Sequence, residues 1–209
     1  MTTHTLDQLT YPAIAVGILI PIVYYGIQPI AILFARDYDI VRQVASELGM
    51  VTVSSRPAVY NIGRIVGSIP TWIAAVGFPF GLTRMGTRPL PTWLTTVGMI
   101  CIAMSTVQAG IFPLPDPRHE GVFLIGFPVW SLSLIAAARS LPDSGAFRIY
   151  LTVNFALSIL MLVARGVVGE QFFSPIAGLF QRLFALVTVV PIGVAAWFLA
   201  RRLKRFALQ

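Results

Sequence analysis

Six apolar stretches of membrane-spanning length follow one another along this chain and constrain its fold more than any other feature. They cover residues 11–34, 59–82, 90–112, 121–138, 147–168 and 176–200. A helix needs about 20 mostly apolar residues to cross the hydrocarbon layer of a bilayer. Only 11% of the 209 residues are charged, against roughly 25% in an average soluble domain. The sequence therefore predicts an all-α integral membrane bundle of about six transmembrane helices.

The connections between these stretches are short, except for residues 35–58. No Ser/Gly-rich linker and no run of like charges divides the chain, which favours a single domain over residues 1–209. No basic segment precedes the first stretch and no small-residue cleavage site follows it. We therefore expect the first stretch to be a retained helix rather than a cleaved signal peptide.

The long first connection is expected to hold a short amphipathic helix. Asp39 suits its N-cap, and Gly49 suits the position that follows its last turn. The apolar residues between them recur at helical spacing: Ile40, Val41, Val44 and Leu48. Such a helix would lie flat on the membrane surface or close the mouth of the bundle. Its polar face would carry Ser46 and Glu47, and we expect Glu47 to accept hydrogen bonds from Arg64 or from amides near the second span.

The distribution of basic residues indicates the orientation in the membrane. With six spans both termini lie on one side, and basic residues favour the cytoplasm. Of the 15 Lys and Arg residues, eight fall on the side of the termini and seven on the other. Four of the eight lie at residues 201–205, directly after the last span, where they would bind an anionic inner leaflet. We therefore expect a multi-pass protein of the cell membrane with cytoplasmic N- and C-termini.

Three arginines, Arg64, Arg165 and Arg182, are predicted to lie at one depth on the opposite side. Counting about 18 apolar residues along each span from the terminal side places them just beyond the hydrocarbon edge, level with Gln108 and Gln181. Acidic residues gather in the adjoining loops: Asp37, Asp39, Glu47, Asp116, Glu120 and Glu170. Three interpretations stay open. An arginine side chain at this depth can extend to lipid phosphates, pair with an acidic residue, or face a polar cavity. Such a cavity would take a lipid headgroup or another anionic ligand.

Asp116, His119 and Glu120 form the one candidate acid–base group, since a histidine beside two carboxylates can relay protons. The chain has two histidines and a single cysteine, Cys101, and it lacks the HExxH, P-loop and Gly-x-Ser-x-Gly motifs. We therefore expect neither a metal nor another cofactor. The basic residues form no stripe with interleaved aromatics, so we expect no nucleic-acid partner.

Three stretches of the chain resemble a known family. Residues 36–49 resemble its first-loop signature, whose core is Ser-Glu-Leu-Gly at positions 46–49. Residues 56–64 resemble the entry to its second helix, and residues 111–119 resemble its third loop, in which Phe-Pro and Asp precede a His. The family consists of six-helix membrane proteins catalogued as a domain of unknown function. The resemblance implies six spans and points to Ser46, Glu47, Asp116 and His119, and it implies no activity.

Three classes of function stay open. The polar layer favours a binding or accessory protein that holds a lipid headgroup or a partner subunit, so membrane lipids, another membrane protein or a second copy are the expected partners. A small transporter or channel would more often show inverted repeats. The third class is an enzyme that acts at the outer leaflet through Asp116, His119 and Glu120. The sequence shows no nucleophile–base pair at a recognisable spacing for such an enzyme. The candidate binding residues are Ser46, Glu47, Arg64, Asp116, His119, Glu120, Arg165 and Arg182.

Cysteine labelling tests the predicted orientation. In a Cys101→Ser background, a single cysteine placed near either terminus should react with a membrane-impermeant maleimide only after the membrane is permeabilised. A cysteine in the first connection should react in intact cells. Labelling of either terminus from outside intact cells would contradict the prediction.

Overall fold

The computed structural model describes residues 3–119 and 121–206, which are mostly helical. The described residues form these α-helices: α1 Thr3–Ala15, α2 Leu19–Ile32, α3 Pro57–Gly67, α4 Ile69–Arg84, α5 Pro89–Ile111, α6 Gly126–Ala138, α7 Gly145–Val168, α8 Glu170–Phe173, α9 Ala177–Thr188 and α10 Val190–Phe206. Short 3-10 helices lie at Val16–Ile18, Ala45–Gly49, Val122–Ile125 and Ser174–Ile176. Glu120 lies outside the described residues, and so do the predictions that involve it.

The helices combine into membrane spans, which confirms the all-α bundle. Five segments are long and apolar enough to cross a bilayer: Leu9–Ile32, Pro57–Arg84, Pro89–Ile111, Gly145–Val168 and Glu170–Arg205. The shorter apolar helix Phe123–Ala138 lies between the third and fourth of them. We number all six as spans 1 to 6 in chain order, so that Phe123–Ala138 is span 4.

The spans pack as a closed ring in chain order. Span 1 contacts span 2, each later span contacts the next, and α10 of span 6 returns to α1 and α2. α10 also reaches across the ring to α4. Buried side chains such as Phe78, Leu82 and Leu199 therefore fill the half of the bundle that holds the termini. We call this half the terminal side. The opposite half, which carries the first loop (residues 33–56), is the first-loop side.

Prolines interrupt three of the spans near the middle of their length. The breaks fall at Val16–Ile18 before Pro21, at Ser68 before Pro70, and at Val189 before Pro191. A proline has no N–H to donate to the carbonyl four residues earlier, and its ring collides with that carbonyl. Neighbouring helices must then hold the broken segments in place. Spans 1, 2 and 6 therefore bend inside the bundle.

Glycines allow the backbones of neighbouring spans to approach closely. A Cβ atom on Gly98 of α5 would lie 2.5 Å from the backbone nitrogen of Trp130 in α6. A Cβ atom on Gly77 of α4 would lie 2.7 Å from the backbone nitrogen of Ile14 in α1. The two GxxxG pairs of span 2 all face span 1: Gly63, Gly67, Gly77 and Gly81. They serve packing within the chain.

The first loop does contain a short helix, but it is shorter than the one predicted between Asp39 and Gly49. Residues 40–43 form a turn, and only Ala45–Gly49 are helical, as a 3-10 helix. Asp39 does cap the turn, because its carboxylate accepts the N–H of Val41 at 2.8 Å. The backbone is extended at the next residues, with ψ of 148° at Val44. Ile40 and Val41 are exposed and Leu48 is buried, so the apolar residues share no face.

The start of α9 explains why this helix is shorter than predicted. A helix over residues 39–49 would use the carbonyls of residues 40–43 to accept its own N–H groups. Here the carbonyls of Val41 and Arg42 accept the N–H groups of Leu179 and Gly178, at 2.9 and 3.3 Å. These are among the N–H groups that a helix start leaves without an internal partner. The first loop therefore caps α9 and forms no continuous helix over residues 39–49.

Two Gly→Ala variants test the close packing of spans 3 and 4. Gly98→Ala should lower the thermal unfolding midpoint, because overpacking costs about 1–3 kcal/mol. Gly166→Ala is the matched control, since nothing lies within 4 Å of the added Cβ atom. It should leave the midpoint unchanged or raise it, as alanine favours a helix by up to about 1 kcal/mol over glycine. Equal midpoints for the two variants would contradict this packing.

Candidate binding site

A cavity of about 520 Å³ lies within the ring of spans and reaches the first-loop side. All six spans contribute to its wall. Its deeper wall includes residues beside the three proline breaks: Ile20, Gly67, Thr71, Thr188, Val189 and Ile192. The three breaks therefore border the deeper part of the cavity. We call this deeper part the apolar chamber.

Polar side chains surround the end of the cavity nearest the first loop, which we call the polar rim. It includes Ser46, Arg64, His119, Arg165, Glu170 and Gln181. Two guanidinium groups and one carboxylate give these six residues a net positive charge with the histidine neutral. A concave apolar site with a few converging polar groups is the usual form of a small-molecule site. A cationic rim above an apolar chamber suits an amphiphile with an anionic head.

Arg64 brings a cation into this cavity without a matching anion. Its Nη1 lies 3.5 Å from the hydroxyl oxygen of Tyr60, a long contact. Its Nε is buried and has no hydrogen-bond partner. No carboxylate of the described residues forms an ion pair with it. Because an unneutralised guanidinium in a membrane bundle is costly, this position favours an anion from outside the chain.

Arg165 and Glu170 form an ion pair at the polar rim, between spans 5 and 6. The Nη2 of Arg165 lies 2.8 Å from Oε1 of Glu170. The side chains are 49% and 82% exposed, and exposed pairs contribute only about 0–1 kcal/mol. One of the three arginines thus pairs with an acid of the adjoining loops. The weakness of the pair leaves Arg165 free to exchange its partner for a ligand.

Arg182 holds the first loop against span 6. Its Nη1 donates to the carbonyl oxygens of Ile40 and Gln43, at 2.8 and 3.1 Å. Its Nη2 donates to the hydroxyl of Tyr38 at 2.7 Å. The neighbouring Gln181 accepts the N–H of Ala45 through its side-chain oxygen at 2.7 Å. Both terminal nitrogens of Arg182 thus bond to the loop, while its buried Nε has no hydrogen-bond partner. The loop that Arg182 fixes forms part of the rim.

Ser46 and Glu47 have different surroundings, although they are adjacent. Ser46 is buried and lines the cavity. The carboxylate of Glu47 accepts the N–H of Val44 at 3.0 Å and the side-chain amide of Gln43 at 2.8 Å. The predicted contact between Glu47 and Arg64 is therefore wrong. Glu47 caps the 3-10 helix that brings Ser46 to the rim.

Asp116 is paired with Arg118 rather than with the ring of His119. The Nε and Nη2 of Arg118 donate to its two carboxylate oxygens, at 2.9 and 2.7 Å, and the backbone N–H of Arg118 donates as well. These bonds hold the pKa of the Asp116 carboxyl at about 2. The carboxyl is therefore ionised near neutral pH and has no proton to supply. Both carboxylate oxygens of Asp116 are thus bonded to Arg118.

His119 is buried where the third loop meets the cavity. Its Nδ1 lies 2.8 Å from the carbonyl oxygen of Phe112. Because a carbonyl oxygen can only accept, we assign the proton of a neutral His119 to Nδ1. The ring is then held in one orientation by the backbone at the end of span 3. Its place in the rim suits contact with a ligand.

The sequence predictions missed the apolar chamber. They placed several rim residues on one side of the bundle, but counting charges does not reveal an internal space. A signal in the sequence is the position of Pro21, Pro70 and Pro191 near the middle of their spans. Three breaks of this kind around one ring predict a space between the spans.

Residues 18–198 match the family described as "Protein of unknown function (DUF998)". This range includes all three stretches on which the family resemblance rests, and the resemblance is confirmed at the level of the family. No curated protein and no solved structure is significantly similar to the chain.

Hydrogen exchange tests the role of Arg182. Arg182→Gln removes charged hydrogen bonds to the first loop, each contributing about 1.5–3 kcal/mol. Amides of residues 36–53 should therefore exchange at least roughly 10-fold faster, while the spans keep their protection. Arg165→Gln is the control, because it removes a cation that does not bind this loop. Unchanged protection of the loop in Arg182→Gln would show that other contacts hold it.

Proposed function

We propose that this chain, which belongs to the DUF998 family of unknown function, binds a membrane lipid with an anionic headgroup in its cavity. The observation that carries the proposal is the position of Arg64. Its guanidinium is part of the polar rim above the apolar chamber, and no described carboxylate forms an ion pair with it. A phosphate or carboxylate headgroup would supply the missing charge, and the chamber would take apolar chain.

The volume of the cavity supports a partly enclosed lipid. A volume of about 520 Å³ falls within the roughly 300–1,000 Å³ of typical ligand sites. It suits a headgroup with part of one acyl chain rather than a whole two-chain lipid. Leu162 of span 5 lines the cavity and is also 50% exposed. The rest of the lipid would pass beside span 5 into the surrounding bilayer.

The polar rim provides further donors for a headgroup. Arg165 is held only by its exposed pair with Glu170, and Ser46 and His119 add neutral polar groups. Arginine suits phosphate and carboxylate because its planar N–H fork binds two oxygens at once. We therefore assign Arg64 the main charged contact and Arg165 a second, exchangeable one.

We also propose that the rim faces the outside of the cell membrane. The proposal rests on the basic tail at residues 201–205, which favours a cytoplasmic terminal side. The bound lipid would then come from the outer leaflet. The labelling experiment described above tests the orientation independently of lipid binding.

Transport of the same lipid is a second candidate function. Interrupted helices beside a site near mid-membrane are a feature of many transporters. Here the breaks in spans 1, 2 and 6 border the apolar chamber. Movement of a labelled anionic lipid between leaflets of proteoliposomes would favour transport. Stable binding without such movement would favour a binding or accessory protein.

Lipid titration followed by native mass spectrometry tests the proposed site. Phosphatidylglycerol should bind the detergent-solubilised protein more tightly than phosphatidylcholine. Arg64→Gln should weaken phosphatidylglycerol binding roughly 10- to 100-fold, because charged hydrogen bonds contribute about 1.5–3 kcal/mol. Arg64→Lys should keep part of the affinity, since it keeps the charge and loses the planar fork.

The control for this experiment is Arg42→Gln. Arg42 lies on the same side of the membrane, is exposed, and does not line the cavity. The Arg42→Gln variant should bind both lipids with the affinity of the wild type. Val189→Trp should reduce the binding of both lipids by filling the apolar chamber. Two results would contradict the proposed site: wild-type affinity for phosphatidylglycerol in Arg64→Gln, or an equal loss of affinity in Arg42→Gln.

A further inference from the structure

A second cationic site lies outside the ring of spans, on the terminal side. It is a groove of about 320 Å³ between α6 and α7, close to the loop that joins them. Its lining residues are Ile135, Arg139, Gly145, Arg148, Ile149, Thr152 and Val153. Ile149 and Val153 are 66% and 49% exposed, and the bundle core lies on the other faces of these helices. The groove therefore faces the surrounding membrane.

The two arginines of the groove have no anionic partner among the described residues. Neither Arg139 nor Arg148 takes part in any of their ion pairs. The Nε of Arg148 is buried and has no hydrogen-bond partner. An arginine that merely extends into water would keep these donors hydrated. Here one donor is desolvated beside a second guanidinium, which favours a bound anion.

The charges around the groove add to this preference. α7 begins at Gly145 and has no acidic residue in its first turn, so the positive end of its dipole lies at the groove. The nearest acid in sequence, Asp143, is 98% exposed and lies 3.8 Å from Nη2 of Arg202. Arg202 therefore offsets the charge of Asp143, and the groove itself contains no carboxylate.

We propose that this groove binds an anionic phospholipid of the leaflet on the terminal side. The phosphate lies between Arg139 and Arg148, and an acyl chain lies along Ile135, Ile149 and Val153. Basic pockets between transmembrane helices are known to bind anionic headgroups. The apolar wall beside the two guanidinium groups distinguishes a lipid from a free phosphate. This site shares no residue with the cavity, so it does not depend on the function proposed above.

Native mass spectrometry with phosphatidylglycerol and phosphatidylcholine tests the charged part of the groove. The wild type should bind one phosphatidylglycerol in the cavity and a second in the groove. The double variant Arg139→Gln/Arg148→Gln should bind the second at least roughly 10-fold more weakly, which lowers the preference for phosphatidylglycerol over phosphatidylcholine. The matched control is Arg88→Gln/Arg205→Gln, which removes the same charge from the terminal side outside the groove. It should keep the wild-type preference. An equal loss in the two double variants would overturn the proposal, because net charge alone would then account for binding.

A photoactivatable acyl chain tests the location of the lipid. Phosphatidylglycerol with a diazirine in its chain should label peptides from residues 135–153. Thr152→Trp should abolish this label by filling the groove without changing its charge, whereas Arg64→Gln should leave it intact. Unchanged labelling in Thr152→Trp would overturn the proposal. A wild-type dimer that persists without lipid and dissociates in Arg139→Gln/Arg148→Gln would also overturn it, because a second copy would then cover the groove.

Discussion

A proline inside a membrane span cannot donate its backbone hydrogen bond, and the hydrocarbon layer offers no water in its place. Three spans of this ring carry such a proline near mid-length, and they meet at small residues. A Cβ atom on Gly17 would lie 2.8 Å from that of Ala196 and 3.3 Å from that of Ala74. On the terminal side of this contact α10 packs against α1 and α4. On the first-loop side the three breaks border the cavity.

The open half of the bundle holds cations that must be balanced in different ways. The terminal nitrogens of Arg182 donate to carbonyl oxygens of the first loop, and Arg165 pairs with the carboxylate of Glu170. Arg64 bonds to no carbonyl oxygen and to no carboxylate of the described residues, and its one hydrogen-bonding contact is the long one with the hydroxyl of Tyr60. A buried group that lacks a partner costs more than a normal hydrogen bond contributes, so a folded protein rarely keeps one without a reason. Because Arg64 belongs to the polar rim above an apolar chamber, we propose an anionic lipid as its partner.

Hydropathy and charge counting predicted the spans and the side on which the arginines lie, because both depend on residue type along one helix at a time. The first-loop helix could not be excluded in this way. Its pattern was helical, but N–H groups of Gly178 and Leu179, more than 130 residues later in the chain, take the carbonyls that it needs. The partner of Asp116 was missed for a simpler reason: Arg118 reaches both carboxylate oxygens from two residues away. The cavity depends on the relative depth of three prolines in different spans, which only the assembled ring establishes.

An experimental density map of the protein, extracted with its own membrane lipids and kept in nanodiscs, would show whether a lipid lies in the cavity. We expect density for a headgroup within hydrogen-bond distance of the Arg64 guanidinium, continuing as a chain toward Ile192 in the apolar chamber. An Arg64 guanidinium paired with one of the protein's own carboxylates, above a chamber without lipid density, would contradict this expectation.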